Sequence, residues 1–369
     1  MRVPYIDLSA QHMPIRQEIL NAVDRVIQHG QFILGPEVEA LEKWMADYCQ
    51  TQFAVGVDNG TNALILTMQA LGIGVGDEVI TVANSFLATG SSIVLAGATP
   101  VFVDVGSDMN MDPTQIISKI TPNTKAILSV HLTGRPADMD AIVNIAETHN
   151  LFVIEDCAQA IGAELNGKRV GSFGIAGCFS FHPLKNLNAC GDGGIITTND
   201  EHLYRHLKEA RNHGLKSRDA CGFWSINARL DTMQAAILMA KTPYLDDWTE
   251  KRRQHAALYQ EGLDGWLVVP KDTVHTKSVY HTFIVQTEYR DDLQNYLRQN
   301  GIDTKIHYPI PIHLQEAAQS FGYQLGDLPI TEKQATQILS LPVHPELPDD
   351  AISYVIETVS HYMRKRGTA

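Results

Sequence analysis

The chain has 369 residues, of which 44 % are hydrophobic and 19 % are charged, and this composition is that of a folded globular protein rather than a disordered one. Its 42 aspartates and glutamates outnumber its 29 lysines and arginines, which gives a formal net charge of −13. Because an acidic surface repels phosphate backbones, we expect no nucleic acid partner, and a chain of this length predicts two domains in series.

The amino-terminal sequence predicts two helices. Apolar residues recur at helical spacing between Ile15 and Val26, and Gly30 is the type of residue that ends a helix. Pro36 suits the first turn of a second helix, whose buried stripe begins at Val38. No apolar leader precedes these helices and no segment is long enough to cross a membrane, so we expect a cytoplasmic protein without a membrane partner.

Short apolar runs then alternate with helix-like segments. The predicted strands are 53–57, 78–82, 100–105, 126–130 and 151–154, and the predicted helices are 61–71, 86–96, 113–119 and 137–149. This βαβ rhythm predicts an α/β fold in which a mostly parallel sheet is covered by helices on both faces. In such sheets, ligands bind at the carboxyl ends of the strands.

The last third of the chain predicts a smaller α+β domain. A helix at 201–212 and a long helix from about Asp231 still belong to the large domain, and Pro243 interrupts the long helix. The segment 244–258 crosses to the small domain, which would contain a strand at 281–286, a helix at 291–300, a strand at 304–307 and a closing helix near 350–364. We therefore expect a large domain at 1–243 and a small domain at 244–369.

The cysteines give no sign of a disulfide framework or of a structural zinc site. There are five of them, and they are scattered along the chain without a C-x-x-C spacing. We expect them to be reduced, and we expect no metal site.

Lys185 lies in a break between two short predicted strands, at 178–181 and 195–198, with Pro183 and several glycines around it. A lysine amine can form a Schiff base with a carbonyl group when its surroundings lower its pKa enough to expose the nitrogen lone pair. The alternative interpretation is an ordinary solvated lysine in a loop.

Three other strand ends carry groups that could bind one ligand. Gly60 and Thr61 open a helix directly after a strand and predict an anion site, although an ordinary N-cap explains them equally well. Asp156 ends a strand and is a candidate partner for a cationic ring nitrogen or a cap for the next segment, and Gln159 follows one turn later. Phe86 follows a third strand and offers a ring for stacking, although phenylalanine is more often a core residue.

These features together match one cofactor. Ser180 precedes Lys185 and adds a second hydroxyl group to the anion site. An anion site, an aromatic ring, a carboxylate and a lysine at one edge of a sheet correspond to the phosphate, ring, pyridine nitrogen and aldehyde of pyridoxal 5′-phosphate. The combination is more specific than any single member, and it predicts this cofactor.

Ordered motifs run nearly from end to end of the chain. They include Gly35-Pro-Glu-Val, Asn59-Gly-Thr, Glu155-Asp-Cys-Ala-Gln, Phe179-Ser-Phe, Lys185-Asn, Gly191-Asp-Gly-Gly, Asn227-Ala-Arg-Leu-Asp and His307-Tyr-Pro. In these motifs the chain resembles the DegT/DnrJ/EryC1/StrS family of pyridoxal-phosphate-dependent sugar aminotransferases. The resemblance implies a fold-type-I aminotransferase fold and a homodimer whose active sites lie at the subunit interface.

The resemblance also implies roles for the matching residues. Lys185 and Asp156 would be catalytic, as the Schiff-base lysine and the partner of the pyridine nitrogen, while Gln159 would lie near the ring hydroxyl and Phe86 over the ring. The phosphate would be held by Gly60, Thr61, Ser180 and by Asn227 of the other subunit. The sugar nucleotide would contact Phe32, Gly35, His182, Arg229, His307, Tyr308 and His313.

The implied reaction moves an amino group from L-glutamate, which leaves as 2-oxoglutarate, to a keto sugar nucleotide. The segments 30–37, 245–248 and 306–309 look most similar to members that act on 3-keto-6-deoxyhexoses linked to dTDP or UDP. Members that act on 4-keto sugars are the nearest alternative, and a non-catalytic regulatory protein with the same fold is a more distant one. Lys185 argues for transamination, because a subgroup that performs deoxygenation has histidine there. His182 and Asn188 depart from the family's usual tyrosine and glycine.

Overall fold

The computed structural model describes residues 1–367. Its helices are α1 Leu8–His12, α2 Arg16–His29, α3 Pro36–Cys49, α4 Gly60–Ala70, α5 Leu87–Leu95, α6 Met139–His149, α7 Glu201–Ala210, α8 Thr232–Lys241, α9 Leu245–Leu263, α10 Arg290–Gln299, α11 Pro329–Gln337 and α12 Asp349–Lys365. Its strands are β1 Phe53–Val57, β2 Glu78–Val82, β3 Thr99–Val103, β4 Thr124–Val130, β5 Phe152–Asp156, β6 Glu164–Leu165, β7 Lys168–Arg169, β8 Ala176–Ser180, β9 Gly194–Thr198, β10 Leu215–Ser217, β11 Ala220–Cys221, β12 Thr276–Lys277, β13 Phe283–Gln286 and β14 Ile338–Leu341. Within the described residues, no helix has the length and apolar character needed to span a bilayer.

The central sheet has seven strands in the order β1-β9-β8-β5-β4-β2-β3. β9 is antiparallel to both of its neighbours, and the remaining pairs are parallel. Ile195 of β9 packs in a buried cluster with Leu41 of α3. Its neighbour Ile196 packs on the other side of the sheet with Leu64 of α4, because successive strand residues point to opposite faces. The prediction of an α/β fold with a mostly parallel, helix-covered sheet is confirmed.

The predicted helix at 113–119 was wrong. The chain forms two short 3₁₀ turns there, Pro113–Gln115 and Ile117–Lys119. The carboxylate of Asp112 accepts hydrogen bonds from both the backbone N–H and the hydroxyl group of Thr114. Such local side-chain bonds compete with the α-helical pattern and favour a turn.

The predicted strand at 304–307 was also wrong. This segment makes only an isolated bridge, between Lys305 and Ser340 of β14. Pro309 and Pro311 follow within a few residues, and proline cannot donate a hydrogen bond to a sheet. The segment therefore leaves the edge of β14 almost as soon as it reaches it.

The carboxyl-terminal region has its own core. A 3₁₀ turn at Thr242–Tyr244 separates α8 from α9, as the position of Pro243 predicted. β13 and β14 pair antiparallel, and residues of α9, α10 and α12 share one buried cluster. Val3 joins that cluster and forms a bridge with Ile302, so the start of the chain packs into this region. The boundary between residues 243 and 244 stays a prediction.

Candidate active site

A cavity of about 620 Å³ lies at the carboxyl ends of the central strands. The strands β1 and β8 run in the same direction because both are antiparallel to β9, so their ends reach the same edge as those of β2, β4 and β5. The predicted site residues that line the cavity are Gly60, Thr61, Phe86, Asp156, Gln159, Ser180, His182, Lys185, His307 and Tyr308. The sheet edge and the carboxyl-terminal region thus share one cavity.

Asp156 is the last residue of β5, and its carboxylate is held on both oxygens. Oδ2 accepts a hydrogen bond from the hydroxyl of Thr89 at 2.8 Å, and Oδ1 accepts one from the backbone N–H of Ala158 at 3.1 Å. The preceding Glu155 points to the other face of the sheet and bonds backbone N–H groups, including that of Gly171. Of the two adjacent acids, only Asp156 faces the cavity.

Lys185 projects into the same cavity from the segment that follows β8. Burial lowers the pKa of its amine to about 8, while the negative charge of Asp156 opposes part of that shift. The backbone N–H of Lys185 donates to the carbonyl of His182 at 2.8 Å, which shapes the turn that carries the side chain. A lysine with this pKa is neutral to about one tenth at pH 7, far more than an ordinary lysine, and the neutral amine is the nucleophilic form.

The anion end of the cavity lies where β1 passes into α4. Asn59 caps the helix, because its Oδ1 accepts the N–H of Asn62 at 2.8 Å. Gly60 meets Ser180 there, and a Cβ on Gly60 would lie only 2.8 Å from the Cβ of Ser180. The glycine therefore allows the first N–H groups of α4 and the Ser180 hydroxyl to surround one anion. The start of α4 therefore has both an N-cap and room for an anion, which the sequence analysis treated as alternatives.

An aromatic wall borders the cavity. Phe86 is 54 % exposed, so it is not a core residue, and its ring lies 5.8 Å from the ring of Tyr308, measured between centroids. Gln159 accepts the backbone N–H of Thr133 through Oε1 at 2.7 Å and donates to the hydroxyl of Tyr308 through Nε2 at 3.2 Å. These contacts fix the amide and the tyrosine against each other.

Two histidines in the wall are neutral. Burial, helped by the nearby Lys185, lowers the pKa of His307 to about 4. The same two causes place the pKa of His281 well below its ordinary value. Nδ1 of His307 lies 2.8 Å from the hydroxyl of Ser340, and Nδ1 of His281 lies 3.2 Å from Oδ1 of Asn186.

The other predicted site residues do not line this cavity, which was traced within one subunit. Phe32 and Asn227 are exposed, Gly35 is buried against Thr232, and Arg229 donates to Oδ1 of Asn212. Their roles toward a ligand stay predictions.

His313 also lies away from the cavity. It is buried, and its Nε2 is 3.0 Å from a carboxylate oxygen of Glu332. Its ring packs at a tilt against that of Phe102. Within one subunit, His313 therefore acts as a core residue, and its contact with a sugar nucleotide stays a prediction.

A buried cluster of possible metal ligands proves to be hydrogen-bonded instead. His131, Glu155 and Cys157 bring ligand atoms within 4.8 Å of one another. Nδ1 of His131 accepts the backbone N–H of Ala137 at 3.1 Å, so its Nε2 carries the proton and donates to Glu155 at 3.0 Å. Burial raises the pKa of the Cys157 thiol, which keeps it protonated. These three side chains therefore belong to the buried core of the protein.

Comparison with known proteins decides the family. The model of the DegT/DnrJ/EryC1/StrS aminotransferase family matches residues 14–360. The chain belongs to this family. The match extends over both the sheet and the carboxyl-terminal region, and of the residues that line the cavity only Tyr5 and Ile6 precede it.

Several DegT/DnrJ/EryC1/StrS relatives match over almost their full length. A pleiotropic regulatory protein of Geobacillus stearothermophilus is 46 % identical, with 99 % of each chain covered. A dTDP-3-amino-3,4,6-trideoxy-alpha-D-glucose transaminase of Streptomyces venezuelae is 42 % identical, with 99 % of this chain and 97 % of the relative covered. The crystal structure of S. venezuelae DesV in complex with a ketimine intermediate superposes with a TM-score of 0.96 at 42 % identity and covers 98 % of both chains.

As a DegT/DnrJ/EryC1/StrS aminotransferase, the protein is an enzyme that uses pyridoxal 5′-phosphate. The residues of the cavity fit this cofactor. The amine of Lys185 has the lowered pKa that reaction with an aldehyde needs. The contact between Gly60 and Ser180 leaves room for a phosphate only because no Cβ fills it, and Asp156 supplies the charge that a protonated pyridine nitrogen needs.

Sequence reasoning missed several residues of this aminotransferase site. Ser85, Thr89, Asp192, Arg252 and His281 all line the cavity. Asp192 stands inside the Gly191-Asp-Gly-Gly motif and Ser85 directly precedes Phe86, so their neighbours could have revealed them. His281 was assigned to a strand, and Arg252 lies on α9 without any local signal.

Proposed function

We propose that this enzyme moves an amino group from L-glutamate to a 3-keto-6-deoxyhexose carried by dTDP or UDP. The observation that carries the proposal is the convergence of the Lys185 amine and the Asp156 carboxylate in one cavity. The Streptomyces venezuelae relative is named for a dTDP-sugar with its amino group on carbon 3, which supports the same position here.

The side chains of the cavity have different roles in the proposed reaction. The bound cofactor supplies a ring that accepts electrons and a carbon that carries the amino group. The Asp156 carboxylate, fixed by Thr89 and Ala158, holds a proton on the ring nitrogen. Lys185 accepts and returns a proton at Nζ, which its pKa near 8 permits at neutral pH. The neutral histidines His281 and His307 add hydrogen-bonding groups without a charge that would oppose the protonated lysine.

We also propose a homodimer that completes the site. Ile33 pairs with Asp231, so the segments that contain Phe32 and Asn227 are neighbours although neither lines the cavity of its own subunit. Together they expose large apolar side chains, with Phe32 49 % and Trp224 95 % exposed. Exposed apolar surface of this kind marks protein interfaces. A second subunit covering it would bring Asn227 and Arg229 to the neighbouring cavity.

Hybrid dimers test this arrangement. Lys185→Ala and Asn227→Ala remove groups that the proposal assigns to one site but to different subunits. When the two inactive variants are refolded together, about a quarter of the sites should be intact, and activity should return to that extent. A mixture that stays inactive, or a protein that sedimentation shows to be monomeric, would remove the homodimer from the proposal.

The two half-reactions test the function. L-Glutamate should abolish the visible absorption of the cofactor-loaded enzyme, and a 3-keto dTDP-sugar added afterwards should restore it. Restoration by a 4-keto dTDP-sugar alone would transfer the assignment to carbon 4.

A regulatory role is the second candidate, because the Geobacillus stearothermophilus relative is named as a regulatory protein. A protein with that role alone has no need of a lysine whose pKa is lowered to about 8 beside a fixed carboxylate. A colourless protein that fails to take up the cofactor would favour this candidate over the enzyme.

A further inference from the structure

Arg252 is a buried arginine in the wall of the active-site cavity. It lies on α9, at the carboxyl-terminal side of the site, and only 4 % of its surface is exposed. Lys185 lies in the wall of the same cavity. Both cations lower the pKa of His281, which lines the cavity with them.

The guanidinium group of Arg252 is poorly satisfied by the protein. Its only hydrogen bond among residues 1–367 runs from Nη1 to the carbonyl of Tyr280, at the long distance of 3.4 Å. Nε has no partner in the described part of the chain, and no carboxylate oxygen there lies within 4 Å of the group. The equally buried Arg211, by contrast, forms an ion pair with Glu42.

The neighbours of Arg252 do not supply the missing negative charge. His281 and His307 are neutral because burial lowers the pKa of each. Burial likewise raises the pKa of Tyr5, which stays a neutral phenol. Glu346 attracts Arg252 from beyond ion-pair distance, and its carboxylate is bonded to His344 at 3.3 Å. Burial lowers the pKa of Arg252 only to about 10, so the guanidinium is charged at neutral pH.

A buried charge without a counter-ion is strongly unfavourable, so this position suits an anion that arrives with a ligand. We infer that Arg252 binds a carboxylate group of the amino donor. The planar guanidinium can meet both oxygens of a carboxylate at once, which a lysine cannot do. This inference rests on the proposed function, which supplies a dicarboxylic amino acid as the donor.

Arg252 could in principle bind either of two anionic groups, a carboxylate of the donor or the diphosphate of the sugar nucleotide. In an amino acid, the α-carboxylate is bonded directly to the carbon that reacts. In a sugar nucleotide, the hexose ring lies between the diphosphate and the keto carbon. We therefore assign Arg252, which lines the same cavity as Lys185 and His281, to the donor carboxylate rather than to the diphosphate.

Arg252→Met and Arg252→Lys test the inference, with Arg253→Met as the matched control. Arg253 is the next residue of α9, but it is paired with Asp272 at 3.0 Å and bonded to the carbonyl of Ser278 at 2.8 Å, outside the cavity. In Arg252→Met, the L-glutamate concentration needed for half-maximal loss of visible absorption should rise about ten- to hundredfold, the scale of a charged hydrogen-bonded pair. Arg252→Lys should fall between this variant and the wild type.

The second half-reaction provides the contrast. When the variant protein is supplied with pyridoxamine 5′-phosphate directly, its reaction with the keto dTDP-sugar should match that of the wild type. Calorimetry with glutarate, which has two carboxylates and no amine, gives a readout that needs no catalysis. The wild type and Arg253→Met should bind glutarate, and Arg252→Met should not.

The outcomes that overturn the inference differ from the one outcome that refutes only the proposed donor. A variant that keeps the glutamate reaction but loses the keto-sugar reaction would assign Arg252 to the diphosphate. Equal losses in both half-reactions would assign Arg252 a purely structural role, and so would an equal loss in Arg253→Met. Absence of glutarate binding by the wild type would also overturn the inference. A wild type that binds glutarate through Arg252 yet does not react with L-glutamate would retain the inference and refute the proposed donor.

Discussion

The side chain of Asn188 accepts a hydrogen bond from the buried amine of Lys241, with Oδ1 and Nζ 2.6 Å apart. The amide nitrogen of Asn188 donates to the carbonyl of Lys185 at 3.1 Å and to Oε1 of Gln11 at 3.0 Å. Nζ of Lys241 also lies 2.9 Å from Nε2 of His12. Asn188 thus links the segment that contains Lys185 to α1 and α8.

Asn188→Gly should loosen this network. The change leaves Lys241 with fewer partners in a buried position, so we expect the free energy of unfolding to fall by about 1–3 kcal/mol. Urea unfolding measures the loss. Lys241→Met and the double variant complete a cycle, in which a coupling of about 1 kcal/mol or more is expected for residues in contact. Strictly additive effects would show that the bond contributes nothing to stability.

The capture of pyridoxal 5′-phosphate by the cofactor-free protein should depend on the ionisation of Lys185. Only the neutral amine attacks the aldehyde, so the rate should rise with pH and reach its midpoint near pH 8, the pKa of Lys185, rather than near the ordinary value of 10.5. Stopped-flow absorption measures this rate. The Lys185→Ala variant should bind pyridoxal 5′-phosphate without developing the visible absorption band. The Lys43→Ala variant, at an exposed position, should behave like the wild type. A midpoint close to 10 would contradict the burial of the amine.

Asp156→Asn should have two separable effects. Loss of the charge opposite the ring nitrogen should slow the glutamate half-reaction by about a hundredfold or more. The Asp156 charge raises the pKa of Lys185, so its removal should also shift the midpoint of cofactor capture to a lower pH. Asp47→Asn, at an exposed position of α3, is the control and should change neither quantity. A shift to higher pH would show that the two groups do not interact as the structure indicates.

Gly60→Ala should weaken binding of the cofactor phosphate. The added methyl group would lie 2.8 Å from the Cβ of Ser180, so the start of α4 and the end of β8 must move apart. We expect the dissociation constant of pyridoxal 5′-phosphate to rise about tenfold, as spectroscopic titration would show. Gly74→Ala should be tolerated, because the nearest atom to a Cβ there is the carbonyl oxygen of Ala96 at 3.6 Å. Unchanged affinity in Gly60→Ala would argue against an anion site at this helix.

Local sequence patterns were sufficient to predict the sheet and the residues at the ends of its strands. Alternating apolar runs fixed the parallel sheet, and the ends of those strands carried Gly60, Phe86, Asp156 and Ser180. Because the carboxyl ends of parallel strands meet at one edge, these side chains had to approach one another once the strands paired. The position of Lys185 in a break between two strands was equally visible.

The distant residues that complete the site are brought together by long-range packing. Asn188 and Lys241 are 53 positions apart, and Asn188 and Gln11 are 177 apart, so no local pattern could reveal their contact. Arg252 has an ordinary helical neighbourhood, and its burial without a counter-ion follows from how α9 packs beside the cavity. The strand wrongly expected at 304–307 is reduced to the single bridge of Lys305 with Ser340, because the prolines that follow cannot continue the pairing with β14.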